Sequence, residues 1–209
     1  MVADVPQLPC AQRSLGAWRT GLLLMLCIGV TLPSNPIFGS ESPTVLTDAD
    51  LIELKRQAQL KRLDLDDAKI TDAGLKHLAA LVELRFLSLN RTSITVEGLT
   101  PFQHLTKLKS LFLSGTKITD AGLANLIGLT QLRTLSVENC KITDAGLLHL
   151  KTLTELNWLY LDDTAITDAG LAHLRGLTQL KYVSVMNTKI TDAGVAELHR
   201  ALPSVRVRR

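Results

Sequence analysis

One period governs this chain. From Thr47 to Ile190 the sequence divides without a gap into six units of 24 residues: TDADLIELKRQAQLKRLDLDDAKI (47–70), TDAGLKHLAALVELRFLSLNRTSI (71–94), TVEGLTPFQHLTKLKSLFLSGTKI (95–118), TDAGLANLIGLTQLRTLSVENCKI (119–142), TDAGLLHLKTLTELNWLYLDDTAI (143–166) and TDAGLAHLRGLTQLKYVSVMNTKI (167–190). Self-similarity at a fixed period of this length marks a solenoid, in which a unit cannot bury its apolar face alone and must stack on its neighbours. A seventh, truncated copy runs from 191 to 209 and has the imperfect form expected of a capping unit.

The pattern inside a unit predicts its parts. Leu75, Leu78, Leu81, Leu84, Leu87, Leu89 and Ile94 mark seven apolar positions that recur in all six units, with Gln57 the one polar substitute. The first three recur every third residue, like the inner stripe of a helix, and Leu87 and Leu89 alternate as in a strand. Each unit therefore reads as one helix and one short strand. Thr71 and Asp72 suit the helix start, the hydroxyl accepting a first-turn amide and the carboxylate favouring the positive end of the dipole. Gly74 and its equivalents Gly98, Gly122, Gly146, Gly170 and Gly194 read as points where neighbouring turns approach closely. Hydrophobic residues make up 46% of the chain and aromatics only 4%, so the core is aliphatic.

The N-terminus reads as an address. Arg13 and Arg19 precede an uncharged stretch, GLLLMLCIGVTL, from Gly21 to Leu32, followed by Pro33, Ser34, Asn35, Pro36 and small residues around Gly39 to Ser42. This is the order of a secretory signal. A bilayer-spanning helix needs about 20 apolar residues, which makes a retained membrane anchor the alternative rather than the first reading. The expected organisation is a signal peptide over 1–40 cut near 39–42, a short lead-in over 41–46 and a repeat domain over 47–209, with the protein secreted, periplasmic or in the cell envelope. Removing the leader takes Cys10 and Cys27 with it and leaves Cys140, so the mature chain makes no internal disulfide. Cys140 stands where other units carry Thr92, Thr116, Thr164 and Thr188, and reads as a small buried side chain, not a nucleophile.

The L-x-x-L-x-L core, as in Leu84, Leu87 and Leu89, with the run Ile-Thr-Asp-Ala-Gly-Leu from Ile118 to Leu123, resembles the leucine-rich-repeat family, in its cysteine-containing and F-box-associated form. The resemblance implies an α/β solenoid shaped as a horseshoe arc, with a parallel sheet on the concave face, helices on the convex face, and use as a protein-interaction platform. In the F-box relatives such repeats select substrates for ubiquitin ligases, a role at odds with an export signal.

Alternation then separates the strand residues. With Leu87 and Leu89 facing the core, Phe86, Ser88 and Asn90 face away, as do Arg62, Asp64 and Asp66; Ser110, Phe112 and Ser114; Thr134, Ser136 and Glu138; Trp158, Tyr160 and Asp162; and Tyr182, Ser184 and Met186. Phe86, Phe112, Trp158, Tyr160 and Tyr182 are thus expected as exposed aromatics of a binding face, with Glu138, Asp162 and Met186 beside them as its rim. The competing explanation is that aromatics favour strands.

Catalysis is disfavoured on the same map. His77, His104, His149, His173 and His199 fall in the helical halves, whereas Ser88, Ser136 and Ser184 fall on the strands. Repeated Asp72, Asp120, Asp144, Asp168 and Asp192 are unlike a catalytic constellation, which needs different residues converging once. Asp64, Asp66 and Asp67 could attract calcium but read better as a solvated acidic edge, so no cofactor or metal is expected. Asn90-Arg91-Thr92 is formally a glycosylation acceptor. Basic and acidic residues number 23 and 20, for a net charge of +3, which supplies no general pull on nucleic acid. Arg206, Arg208 and Arg209 form the one basic run and read as a frayed, solvated end. Two classes of function remain: a non-catalytic scaffold that binds a protein or peptide on its concave face outside the cytoplasm, or an assembly subunit of the cell envelope that uses its convex face or ends.

Overall fold

The computed structural model describes residues 46–54 and 56–209; the leader, its cleavage point, Cys10 and Cys27 lie outside the described residues. Seven strands, each of three residues, form one parallel sheet in chain order: β1 (Arg62–Asp64), β2 (Phe86–Ser88), β3 (Ser110–Phe112), β4 (Thr134–Ser136), β5 (Trp158–Tyr160), β6 (Tyr182–Ser184) and β7 (Arg206–Arg208). Each pairs with the next at an offset of one repeat, Leu87 with Leu111 and Leu111 with Leu135 for example. The C-terminal arginines are therefore not frayed. Val205 is buried, Val207 pairs with Val183, and this apolar alternation recruits the tail as a seventh strand.

The return segments are shorter than one full helix per unit. α1 (Asp48–Leu54) is followed in later units by single α-turns: α2 (Asp72–Leu75), α3 (Asp120–Ala124), α4 (Asp144–Leu147) and α5 (Asp168–Leu171). After α2, α4 and α5 the chain tightens into 3-10 turns. A strict every-third-residue stripe explains this, because Leu75, Leu78 and Leu81 align at three residues per turn, not 3.6. The third unit, interrupted by Pro101, is 3-10 throughout its Glu97–His104 segment. Only in the last unit does the spacing become Val195, Leu198 and Leu202, and there α6 (Asp192–Ala201) runs for ten residues.

Packing follows the repeat. Each of the recurring apolar positions is buried, from Leu51 and Leu54 to Val185 and Ile190. Beneath the strand ends, Thr92, Thr116, Thr164 and Thr188 donate their hydroxyls to the carbonyls of Leu89, Leu113, Leu161 and Val185 at 2.6–2.7 Å. Cys140 takes the same place, its thiol 3.2 Å from the Leu113 carbonyl. Just before this position the chain turns once per unit through a left-handed residue: Asp67, Arg91, Gly115, Asn139, Asp163 and Asn187. Asp, Asn and Gly tolerate that conformation. Arg91 does not by nature, and it is tied down by Nε and Nη2 bonds to Asp67 at 2.7 and 2.6 Å.

The Thr-Asp pair does more than start helices. Thr71 donates its amide and hydroxyl to the two oxygens of Asp48, one unit earlier, at 2.8 and 2.6 Å. The same clamp joins Thr95 to Asp72, Thr143 to Asp120, Thr167 to Asp144 and Thr191 to Asp168. It also accounts for all but one of the recurring glycines: a Cβ on Gly74 or Gly146 would collide with the carboxylate of Asp48 or Asp120, whereas on Gly122 it would meet the Ile118 side chain. Val96 replaces the aspartate in the third unit, so the junction between it and Thr119 has no clamp. Asp144→Ala removes two charge-assisted bonds and should lower unfolding stability by about 1–3 kcal/mol. Val96→Asp should raise it by about 1 kcal/mol by completing the series. Urea midpoints of the two variants check both signs.

Candidate functional site: the helix-free face of the sheet

The in-register pairing turns the outward residues into columns about 4.8 Å apart from strand to strand. The first column reads Arg62, Phe86, Ser110, Thr134, Trp158, Tyr182 and Arg206; the second reads Asp64, Ser88, Phe112, Ser136, Tyr160, Ser184 and Arg208. Two aromatic groups result. Phe86 and Phe112 lie 5.4 Å apart with rings tilted 43°, and the Arg62 guanidinium sits 3.5 Å from the Phe86 ring centre. Tyr160 and Tyr182 lie 5.6 Å apart with rings tilted 51°, and Trp158 pairs with Tyr182 in the first column.

Depth separates these residues where alternation alone did not. Phe112, Tyr160 and Asp162, expected as exposed, retain only 8%, 6% and 6% of their surface. The second column is the last residue of each strand and lies between the first column and the strand-end carboxylates. Ser88, Ser136 and Ser184 are buried there too. Phe86, Trp158, Tyr182, Glu138 and Met186 are half-buried. The first column is thus the more accessible of the two, with Phe112 packed against Phe86 and Tyr160 against Tyr182.

The acidic column at the strand ends is occupied internally. Asp66 accepts the Ser88 hydroxyl, the Asn90 amide at 3.0 Å and the Asn90 side chain at 3.1 Å. Asn90 in turn accepts the Ser114 amide at 2.8 Å, so its carboxamide is fully engaged in the fold and Thr92 beside it is buried. Glu138 accepts the Ser136 and Ser114 hydroxyls at 3.0 and 3.1 Å. Asp162 accepts the Ser184 hydroxyl at 2.9 Å and the Met186 amide at 2.7 Å. These carboxylates stitch one strand end to the next. At the first strand, Asp64 is raised by burial and by Asp66, while Asp67 is lowered by its bond to Arg91. Among the described residues no group of three or more His, Cys, Asp or Glu is placed to hold a metal ion.

The sequence map missed a second charged column. Each residue entering a strand bonds its amide to the carbonyl one unit earlier: Arg85 to Lys61, Lys109 to Arg85, Arg133 to Lys109, Asn157 to Arg133 and Lys181 to Asn157, at 2.8–2.9 Å. Five cations interrupted by one asparagine are thereby stacked along the strand-entry edge. The signal was present as the residue after the fourth recurring apolar position of each unit, outside the alternating strand positions. At the far end Arg206 and Arg208 join the outward columns beside Tyr182 and Ser184. Arg209 instead reaches Asp192 at 2.6 Å.

A family model described as leucine-rich repeat region matches residues 44–204. No curated protein sequence matches the chain. Among solved structures, an internalin from Listeria monocytogenes is similar at 24% identity with a TM-score of 0.55, over 74% of this chain and 49% of its own. A leucine-rich-repeat protein from Leptospira interrogans is similar at 23% identity and a TM-score of 0.60, over 76% and 39%. Internalin C2 from Listeria monocytogenes is similar at 28% identity and a TM-score of 0.55, over 78% and 76%. The chain spans less than half the length of the first two, whose likeness establishes the fold alone.

Two titrations test the geometry. Burial raises Glu138 above the usual glutamate range, the Asp162 carboxylate adds to this, and the Ser136 and Ser114 hydroxyls oppose it. A carboxyl that holds its proton more tightly when folded costs stability as pH rises through and above the ordinary glutamate value. Glu138→Gln should therefore be more stable than the wild type at about pH 7, with the difference vanishing below about pH 4. Urea unfolding at both pH values reads this. Burial also pushes the Cys140 thiol up, so the native protein should resist iodoacetamide at about pH 8 while the urea-unfolded chain reacts.

Proposed function

Because the chain belongs to the leucine-rich-repeat family, whose fold supports use as a protein-interaction scaffold, we propose that it is a non-catalytic recognition module. It takes a protein or peptide segment across the helix-free face of its sheet, the concave side of the arc the family implies, outside the cytoplasm. The observation that carries this reading is the first column. Phe86, Trp158 and Tyr182 stand half-buried on a rigid in-register sheet, where the core beneath them is already closed by leucines. Large aromatics held at fixed spacing over a packed base make strong anchors, since few rotamers are lost when they are covered.

Other features agree. Serines of the face and histidines of the return segments are divided by the leucine core, an arrangement that supports recognition over nucleophilic catalysis. The address-like N-terminus supports action outside the cytoplasm, and no helix among the described residues is long and apolar enough to cross a membrane.

The test is a cross-linking pull-down from the native envelope or medium with wild-type protein and a Trp158→Ala, Tyr182→Ala variant. Tyr160 is left intact because its burial makes truncation a packing lesion. With circular dichroism unchanged, recovery of a specific partner should fall more than tenfold, as expected when an anchor contributes about 2 kcal/mol. Undiminished recovery would move binding to the return segments or the ends, as in an assembly subunit of the envelope.

A further inference from the structure

We propose that the ligand of this face is an acidic polypeptide segment in extended form, its carboxylates held by the strand-entry cations and its apolar side chains laid on the aromatic column. The inference rests on the sheet-face reading above and adds the chemistry of the partner.

The charges on the sheet sort by whether the fold already uses them. Asp66, Glu138 and Asp162 have hydroxyl and amide partners within the strand ends. Asp67 is bonded to Arg91. The strand-entry cations are different: among the described residues, Lys61, Arg85, Lys109 and Lys181 have no carboxylate within 4.0 Å, and Arg133 reaches Glu155 only at 3.8 Å. Among the described residues Arg206 and Arg208 have no carboxylate within 4.0 Å either. Backbone bonds hold the column in register, so like charges lie on adjacent strands, and Glu83, which the charges of Arg85 and Lys61 reach, and Glu155, 3.8 Å from Arg133, offset only part of that repulsion.

The placement also selects the kind of anion. Arg85 directly precedes Phe86 and Lys181 directly precedes Tyr182, so an exposed cation lies one residue outside each of these aromatics at the strand-entry edge. At the opposite edge the strand ends carry the carboxylates of Asp66, Glu138 and Asp162. The face is therefore dipolar across its width. A polymer charged all round, such as a nucleic acid or sulfated polysaccharide, meets repulsion at the acidic edge; a peptide with alternating acidic and apolar residues does not. From β1 to β6 the column spans five strand steps, about 24 Å, which an extended peptide of about eight residues covers.

The experiment uses the whole chain and fluorescein-labelled decapeptides of alternating Glu-Leu, Gln-Leu and Lys-Leu, read by anisotropy. Heparin and a single-stranded oligonucleotide serve as further probes. One variant removes the cations (Lys61→Gln, Arg85→Gln, Lys109→Gln, Lys181→Gln), all at solvent-accessible positions; the other is Trp158→Ala, Tyr182→Ala. The Glu-Leu peptide should bind at least tenfold more tightly than Gln-Leu, weaken with added salt, and lose at least tenfold in each variant while circular dichroism stays native. Equal binding of Gln-Leu, preference for Lys-Leu, binding of only heparin or the oligonucleotide, or no binding by any probe overturns the proposal. Should Lys-Leu or Gln-Leu bind best and be lost in the aromatic variant, the sheet-face reading stands and the acidic partner fails. Should Glu-Leu binding ignore the aromatic variant, the sheet-face reading fails with it.

Discussion

The junction between units is the constraint on which the structure depends. A unit of this chain presents leucines on both of its stacking faces and encloses none of them by itself, so its core exists only where another unit lies against it. Stacking of the buried leucines supplies most of the stabilisation, and the aspartate-threonine clamp adds direction, since it is satisfied only when successive units are offset by one repeat. That offset brings equivalent residues into register across the sheet. Every column on the helix-free face is a consequence of it.

The same register separates structural polarity from polarity left for a partner. Carboxylates at the strand ends and at the return-segment starts both bind the next unit, and threonine hydroxyls close the turns beneath. Once these are assigned, the face retains the half-buried first-column aromatics, and the strand entry retains Lys61, Arg85, Lys109 and Lys181, which have no carboxylate within 4.0 Å among the described residues. On the proposed reading, such a surface recognises its partner through rigid placement of side chains.

Much of this was legible in the sequence because the repeat is gapless and its apolar positions hardly vary. The period, the inward leucines and the buried place of Cys140 follow from spacing, and the parallel sheet from the resemblance to leucine-rich repeats. What escaped depends on contacts or depth that spacing does not encode. Asp48 reads as a helix-start residue because its true partner, Thr71, is 23 residues away. Alternation assigns Tyr160 and Phe112 to a side of the sheet but cannot say how far their flanks cover them. The stripe of Leu75, Leu78 and Leu81 points to a helix, yet its strict spacing of three is satisfied by one α-turn and a 3-10 turn. The cations at Lys61, Arg85 and Lys109 look dispersed at intervals of 24 residues and become neighbours only when the chain coils. Arg206 and Arg208 look like a solvated tail until Val205 and Val207 are read as strand residues.

If stability resides in the junctions, it must be lowest where the clamp is missing, between the third and fourth units. Native-state hydrogen exchange measures this at single amides. The amides that cross that junction, Leu113 and Gly115 bonded to Ser136 and Glu138, should exchange faster than their equivalents Val137 and Asn139, bonded to Tyr160 and Asp162 across a clamped one. Equal protection at the two junctions, or a first opening elsewhere in the interior of the stack, would contradict the account.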